Sequence, residues 1–249
     1  MAENEKLRLD RLLNHMGLGT RKEIKKLIKA KQVMVNGELA MDPGLHIFPQ
    51  RDHIEVQGEV IEYREYIYLM LNKPQDVLSA TEDASDKVVI DLLDPTYHSF
   101  NPFPVGRLDK DTEGLLLLTN NGKLAHQLLS PKKHVPKTYY ALVQGLVTEE
   151  DVAAFARGVE LDDGYRTLPG QLKIIRSAPQ SEIELTIYEG KYHQVKRMFE
   201  AVGKRVIYLK RLSMGPLVLD NNLKPGEYRE LTDEEIALLQ EAKTRHSVQ

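Results

Sequence analysis

The chain has 249 residues, 41% of them apolar and 29% charged, and its 34 Lys and Arg against 37 Asp and Glu give a formal net charge of −3. This suits a globular protein of one or two domains and excludes a uniformly basic nucleic-acid coat, though local basic patches remain open. The absence of cysteine excludes disulfides, Cys-ligated zinc, iron–sulfur clusters and a thiol nucleophile; with no signal-like start and no apolar run near the roughly 20 residues of a membrane span, it predicts a cytoplasmic protein.

Leu9, Leu12, Leu13 and Met16 recur at helical spacing, and Gly17 and Gly19 stop that helix. Thr20-Arg21-Lys22-Glu23 is a capping box, in which the Thr hydroxyl bonds the N3 amide and Glu23 reaches back. It predicts a second helix to about Ala30 with Ile24, Leu27 and Ile28 on its apolar side. Lys22, Lys25, Lys26 and Lys29 share the other face. From 21 to 31 there are six basic residues and one acid, a local net charge of +5. Asn36-Gly37 between Val33, Val35 and Leu39 signals a hairpin, and Ile47, Ile54 and Val56 suggest further strand. A boundary is expected near Gly58, with the polar stretch 57–66 as a tether.

The second part opens with a strand over 66–71, broken by Asn72-Lys73-Pro74. After Gly106-Arg107-Leu108-Asp109-Lys110-Asp111-Thr112-Glu113-Gly114, the apolar run 115–119 suits a buried strand. Asn120-Asn121-Gly122 turns the chain into a helix over 123–129. Residues 137–143 read as a strand, and Ile183, Leu185 and Ile187 as a half-buried one. Val195, Met198, Phe199 and Val202 mark a helix face, and Thr232-Asp233-Glu234-Glu235 opens a last helix to about Ala242, with residues after Arg245 loose. The irregular mixture predicts an α+β fold in two domains, 1–59 and 60–249.

On residue chemistry alone, the lysine face of the second helix suits phosphate contact, or is a solvated face. Asp109 and Asp111, set among Arg107 and Lys110 between two glycines, form either a charged turn or a site with an ionised carboxylate acting as nucleophile or base. A magnesium reading of Asp-x-Asp lacks a third ligand at useful spacing, so no metal is expected. His126, His134 and His193 read as structural residues or RNA contacts before they read as general bases. The stretch 191–211 holds seven basic residues against Glu200, a net +6, and predicts a second basic patch; a helix opening there would present its amino end to phosphate.

Leu9-Asp10-Arg11-Leu12-Leu13, Gly19-Thr20-Arg21, Ile24, Leu27, Ile28 and Val33-Met34-Val35-Asn36-Gly37 resemble the S4 RNA-binding domain. The segment Gly106-Arg107-Leu108-Asp109-Lys110-Asp111-Thr112-Glu113-Gly114-Leu115 resembles the central motif of the pseudouridine synthases that carry an S4 domain. In order around it stand Leu71-Asn72-Lys73-Pro74, Lys137-Thr138-Tyr139, the stretch from Glu189 to Met198, Gly215-Pro216-Leu217, and a C-terminal signature from Leu223 to Arg229, each resembling its counterpart. The resemblance spans about 7–235. The His193-Gln194-Val195-Lys196-Arg197 form is similar to the branch acting on small-subunit (16S) ribosomal RNA; the large-subunit branch tends to carry Asn-Arg in place of His-Gln. Asn121 stands where relatives often carry Asp.

The resemblance implies an S4-like domain followed by a mixed, largely antiparallel sheet. It implies isomerisation of uridine to pseudouridine in 16S rRNA, free or in a partly assembled small subunit. The reaction breaks N1–C1′ and joins C5 to C1′, with no cofactor. Asp109 is then the catalytic carboxylate, Lys196 its partner, and Tyr139 the ring against uracil. Arg21, Lys22, Lys25, Lys26, Lys29, Lys73, Arg107 and Arg197 are the expected RNA-binding residues, with support of the cleft as the alternative for Lys73. Arg107 is expected to reach into the RNA stack or hold a phosphate once the target base has left the stack. A monomer with no membrane contact is expected. The competing readings are a 23S rRNA target, a non-catalytic RNA-binding protein, and a metal-dependent nuclease or glycosidase using Asp109 and Asp111.

Overall fold

The computed structural model describes residues 5–241, so the expected loose end after Arg245 lies outside the described residues. The chain divides into two compact units, Met1–Ile67 with Leu93–Pro102, and Tyr68–Leu92 with Phe103–Gln249.

In the first unit, β1 (Leu7–Arg8) leads into α1 (Leu9–His15), and α2 (Arg21–Lys29) follows. The Thr20 capping box forms: Thr20 Oγ1 accepts from the Glu23 amide, and the Thr20 amide donates to Glu23 Oε2 at 2.7 Å. Nine residues are too few for a helix to persist alone in water, so α2 depends on burying Ile24 and Ile28, each contributing about 1.5–3 kcal/mol. These pack with Leu9, Leu12 and Leu13 of α1 and with β2 (Val33–Val35) and β5 (Ile54–Val56). Asn36 and Gly37, both at positive φ, turn β2 into β3 (Glu38–Leu39). β4 (His46–Ile47) pairs with β1, and β6 (Glu59–Val60) pairs with β5.

Gly58, expected at a domain boundary, is instead the tight turn of the β5–β6 hairpin, with Gln57 and Gly58 both at positive φ. The stretch 57–66 therefore belongs to the first unit. A later piece of chain joins it: Phe100 is buried with its ring 4.9 Å from that of His15, and a Cβ on Gly17 would sit 3.0 Å from Ser99 Oγ.

The second unit is a nine-stranded sheet. Its elements are β7 (Tyr68–Lys73), β8 (Phe103–Pro104), β9 (Glu113–Thr119), α3 (Gly122–Leu129), β10 (Lys137–Gln144), α4 (Glu149–Arg157), β11 (Gln171–Arg176), β12 (Gln180–Ile187), α5 (Gln194–Glu200), β13 (Arg205–Met214), β14 (Leu217–Val218), β15 (Tyr228–Glu230) and α6 (Asp233–Glu241). The strand order is β11-β12-β10-β13-β9-β7-β15, with β14 on β13 and β8 on β9; among the described strand pairs, β13–β9 alone is parallel. This is the mixed, largely antiparallel α+β architecture expected. β9 is central and buried along Gly114–Thr119, which is why its sequence is an unbroken apolar run rather than an alternation. β10 alternates: Lys137, Tyr139, Ala141 and Val143 face inward while Thr138, Tyr140 and Leu142 are half-buried. Met70, Leu115 and Leu117 pack with Leu124 and Leu128 of α3 and Leu239 of α6, and the Phe155 and Phe199 rings of α4 and α5 meet at 5.0 Å. Among the described residues, no helix is long and apolar enough to cross a membrane.

Candidate active site

The segment entering β9 carries Asp109, and its shape depends on glycine at both ends. Gly106 has φ +80°, and a Cβ there would meet Leu129 at 2.9 Å. Gly114 has φ +104°, and a Cβ there would lie 2.3 Å from the Arg211 carbonyl oxygen of the neighbouring strand. Any side chain at Gly114 would force β9 and β13 apart. Between these glycines the loop is tied at several atoms. Ser79 Oγ donates to the Leu108 carbonyl at 2.9 Å and accepts from its amide at 3.0 Å. The Asp76 amide donates to the Lys110 carbonyl, and the Thr112 amide to the Asp109 carbonyl.

Lys73, at the end of β7, completes the support. It is fully buried, and its Nζ donates to the carbonyls of Pro74 at 2.9 Å, Thr112 at 3.0 Å and Lys110 at 3.3 Å. Burial pushes its pKa down to about 8, against the pull of the surrounding carboxylates Asp111, Asp109, Asp76 and Glu113.

Asp109 opens onto a small cleft, about 50 Å³, whose lining includes Thr112, Tyr139, Ile187, His193 and Leu209. Lys196 Nζ lies 3.1 Å from Asp109 Oδ2 and 2.7 Å from Asp111 Oδ1, so one ammonium holds two carboxylates. Burial disfavours the Lys196 charge, but hydrogen bonds to Asp111 and Asp109 outweigh it and raise its pKa. Partial burial likewise opposes the Asp111 charge, yet the Lys196 hydrogen bond brings its carboxyl below the usual range. His193 Nε2 stands 3.6 Å from Asp109 Oδ1. Tyr139 is buried on β10, opposite Leu185 of β12 and Arg211 of β13.

The turn before α5 is built from below by two buried polar residues. Glu189 accepts from the Leu168 amide, the Tyr165 hydroxyl and Gln194 Nε2, while Gln194 Oε1 accepts from the Lys191 amide. The network closes the turn and leaves His193 in a left-handed conformation at φ 48°.

A carboxylate paired with an ammonium, beside a buried tyrosine in a small cleft, is equipped for acid–base or covalent work on a planar ring. The family model described as RNA pseudouridylate synthase matches residues 67–201, which contain Asp109, Tyr139 and Lys196, and an S4 domain model matches residues 7–47. The chain belongs to the RNA pseudouridylate synthases. It is 55% identical to the uncharacterized RNA pseudouridine synthase YtzG of Bacillus subtilis (strain 168), over 94% of this chain and 99% of that one. It is 40% identical to the ribosomal small subunit pseudouridine synthase A of Yersinia pestis, over 93% and 97%. It is also 40% identical to the ribosomal large subunit pseudouridine synthase B of Bacillus subtilis (strain 168), over 93% and 95%. A crystal structure of a pseudouridylate synthase covers 94% of this chain and 99% of its own, with 38% identity and a TM-score of 0.66. The chain is therefore an isomerase of uridine in RNA.

Several expected RNA-binding residues of this pseudouridylate synthase are placed otherwise. Lys73 is not a surface contact: three carbonyls enclose it, so it serves as the loop support. Arg197 is not an open cation either, because Asp162 and Asp163 clamp its guanidinium and hold its charge; only 14% of its side chain is exposed. The basic stretch 191–211 is largely spent inside the unit. Lys196 pairs with the two aspartates, Lys204 with buried Asp151 at 2.7 Å, and Arg211 is buried with its Nε on the Leu115 carbonyl at 2.8 Å. The helix expected to present its amino end, α5, has seven residues and begins at the left-handed His193. Arg107 is exposed, as are Arg21, Lys22, Lys25, Lys26 and Lys29, none of which forms an ion pair among the described residues. His193 reaches the cleft; His126 and His134 do not line it. Asn121 caps α3 by accepting from the Leu124 amide and donates to the Tyr68 hydroxyl at 2.9 Å. No group of three His, Asp or Glu among the described residues is arranged to hold a metal ion.

Ser79, Glu189 and Gln194 carry the loops of the site, and residue reading assigned them no role. Glu189 and Gln194 sit inside a motif whose wording hinted at importance. Ser79 has no local signal, since its partner is 29 residues away.

Proposed function

We propose that this pseudouridylate synthase acts on ribosomal RNA, with a uridine of small-subunit RNA as its target and Asp109 as the catalytic carboxylate. The observation that carries the reading is the pairing of Asp109 with Lys196 in the cleft lined by Tyr139, in a chain of this family. The uridine leaves its stack and enters the cleft. Asp109 acts at C1′ or on the base; N1–C1′ breaks, the uracil turns, C5–C1′ forms, the C5 proton leaves to solvent and N1 takes up a proton. Lys196 holds the carboxylate in place, Tyr139 lies against the ring, and Arg107 fills the space in the stack or holds a phosphate. Arg21, Lys22, Lys25, Lys26 and Lys29 grip phosphates through the S4 unit.

The small-subunit assignment is supported by the His193-Gln194 form of the motif and by similarity to small-subunit synthases. Equal identity to a large-subunit synthase makes 23S RNA the specific rival. Incubation with small- or large-subunit RNA tritiated at uridine C5, with EDTA and no nucleotide, tests both points. Tritium release from small-subunit RNA is expected, falling about 1,000-fold or more in Asp109→Asn. Release from large-subunit RNA alone would overturn the target, and an active Asp109→Asn would overturn the assigned carboxylate.

A further inference from the structure

Tyr192 is 75% exposed, the most exposed large hydrophobic residue of the described chain and the only exposed aromatic among them. Its surroundings argue against an idle surface side chain. One face of its ring stacks on the His193 imidazole at 3.8 Å with the planes 19° apart, and His193 in turn reaches Asp109 at 3.6 Å. The residue stands between Lys191 and His193, both of which line the Asp109 cleft, and is otherwise open to solvent. The backbone beneath is fixed: the Lys191 amide is bound by Gln194, Gln194 by buried Glu189, and the Tyr192 carbonyl accepts from Arg197, itself clamped by two aspartates. Lys191, the preceding residue, carries its ammonium over the Tyr165 ring, 4.4 Å from its centre. An aromatic plane held open on a rigid turn, with a lysine next to it in the chain, is the kind of surface on which nucleobases stack without regard to their identity.

We infer that Tyr192 is a stacking platform for the nucleotide next to the target uridine. The target itself must present C1′ to Asp109, so the plane two side chains away takes a neighbour along the strand. The platform then holds the RNA while the uridine is out of its stack, and His193 sets its height above Asp109. This rests on the Asp109 cleft being the place of reaction.

The chain contains no tryptophan, so Tyr192→Trp introduces a single tryptophan at the platform, excited apart from the tyrosines near 295 nm. Titration of that variant with the RNA on which the wild type releases tritium is expected to quench and shift its emission. Val218→Trp, at a position 65% exposed on β14, serves as the control and stays unquenched. In kinetics, Tyr192→Ala raises KM by roughly 5- to 100-fold, the range of base–aromatic stacking, with kcat at saturation within about twofold. Tyr192→Phe and Tyr192→Trp restore KM, and all variants melt with the wild type because the side chain is exposed. An unquenched tryptophan at 192, an unchanged KM in Tyr192→Ala, or a loss confined to kcat would each overturn the inference. The failure of the cleft reading is separable: it appears as activity in Asp109→Asn, whatever the tryptophan reports.

Discussion

On α2, Lys22, Lys25, Lys26 and Lys29 stand exposed and in no ion pair among the described residues, whereas in the second unit Lys73 is buried with its nitrogen against backbone oxygens and Lys196 is half-buried against two carboxylates. The two sets do different physical work. Exposed ammonium groups on a helix face can follow a phosphate backbone whose position varies, and their attraction is long-ranged and screened by salt. An enclosed ammonium costs desolvation and repays it only by holding one geometry. The first arrangement suits affinity for a charged strand, and the second suits holding a site in one geometry.

Substitutions should separate along that line. The largest effect is expected from Lys196→Ala, which leaves Asp109 and Asp111 facing each other without their shared cation. Turnover should fall about 100-fold or more with KM nearly unchanged, while Lys196→Arg keeps much of the rate. A loss carried mainly by KM would break the comparison. A smaller effect is expected on the open face: Lys25→Ala combined with Lys29→Ala should raise KM about 10-fold near physiological salt and leave kcat alone. The slope of log affinity against log salt should become shallower by about 1.5, the share of two phosphate contacts. An unchanged slope would remove these two lysines from the RNA interface.

The smallest effect sharpens the enclosed case. With Lys73 lowered to about 8 in the fold, the unfolded chain binds more protons than the native one between about pH 8 and the ordinary lysine range. Stability therefore gains from this residue as pH rises through that window, because the cost of burying its charge is relieved. Lys73→Met lacks the gain, although it also loses donors to three carbonyls. Urea melts at pH 7.5 and 10 should show the wild type's advantage over the variant growing. Lys137, also lowered to about 8 by burial and by nearby Arg211, is common to both proteins and cancels in the difference. A constant difference would mean that Lys73 does not titrate in this range.

What could be read from the residues was decided locally. The Thr20 capping box, the Asn36-Gly37 turn and the apolar run of β9 each depend on groups a few positions apart, and each forms where expected. β13 escaped notice because charged and apolar side chains alternate without a clean face over Arg205–Met214, and its place is set by pairing with β10 and β9. α4 escaped although Thr148 and Asp151 form a capping box there; the acidic N3 residue is Asp rather than the usual Glu. Within the site, Asp109, Tyr139 and Lys196 stood out by motif, and the cleft brings Asp109 and Tyr139 together with Lys196 on Asp109. The misplaced cations share one cause. A lysine or arginine looks the same in sequence whether it faces solvent or an internal oxygen, and the deciding partners are remote: Thr112 for Lys73, Asp162 for Arg197, Asp151 for Lys204.

The return of Leu93–Pro102 to the first unit bears on how the protein is made. A ribosome that has released residues up to Ile67 has delivered the helices and small sheets of that unit, but not the segment whose Phe100 lies on His15 and whose Ser99 lies under Gly17. The unit closes only after β7 and the loop bearing Ser79 have also emerged, so its completion waits on the opening of the unit that follows. An expression fragment cut at residue 59 or 67 would reproduce that nascent state permanently: an S4 fold missing one of its own pieces.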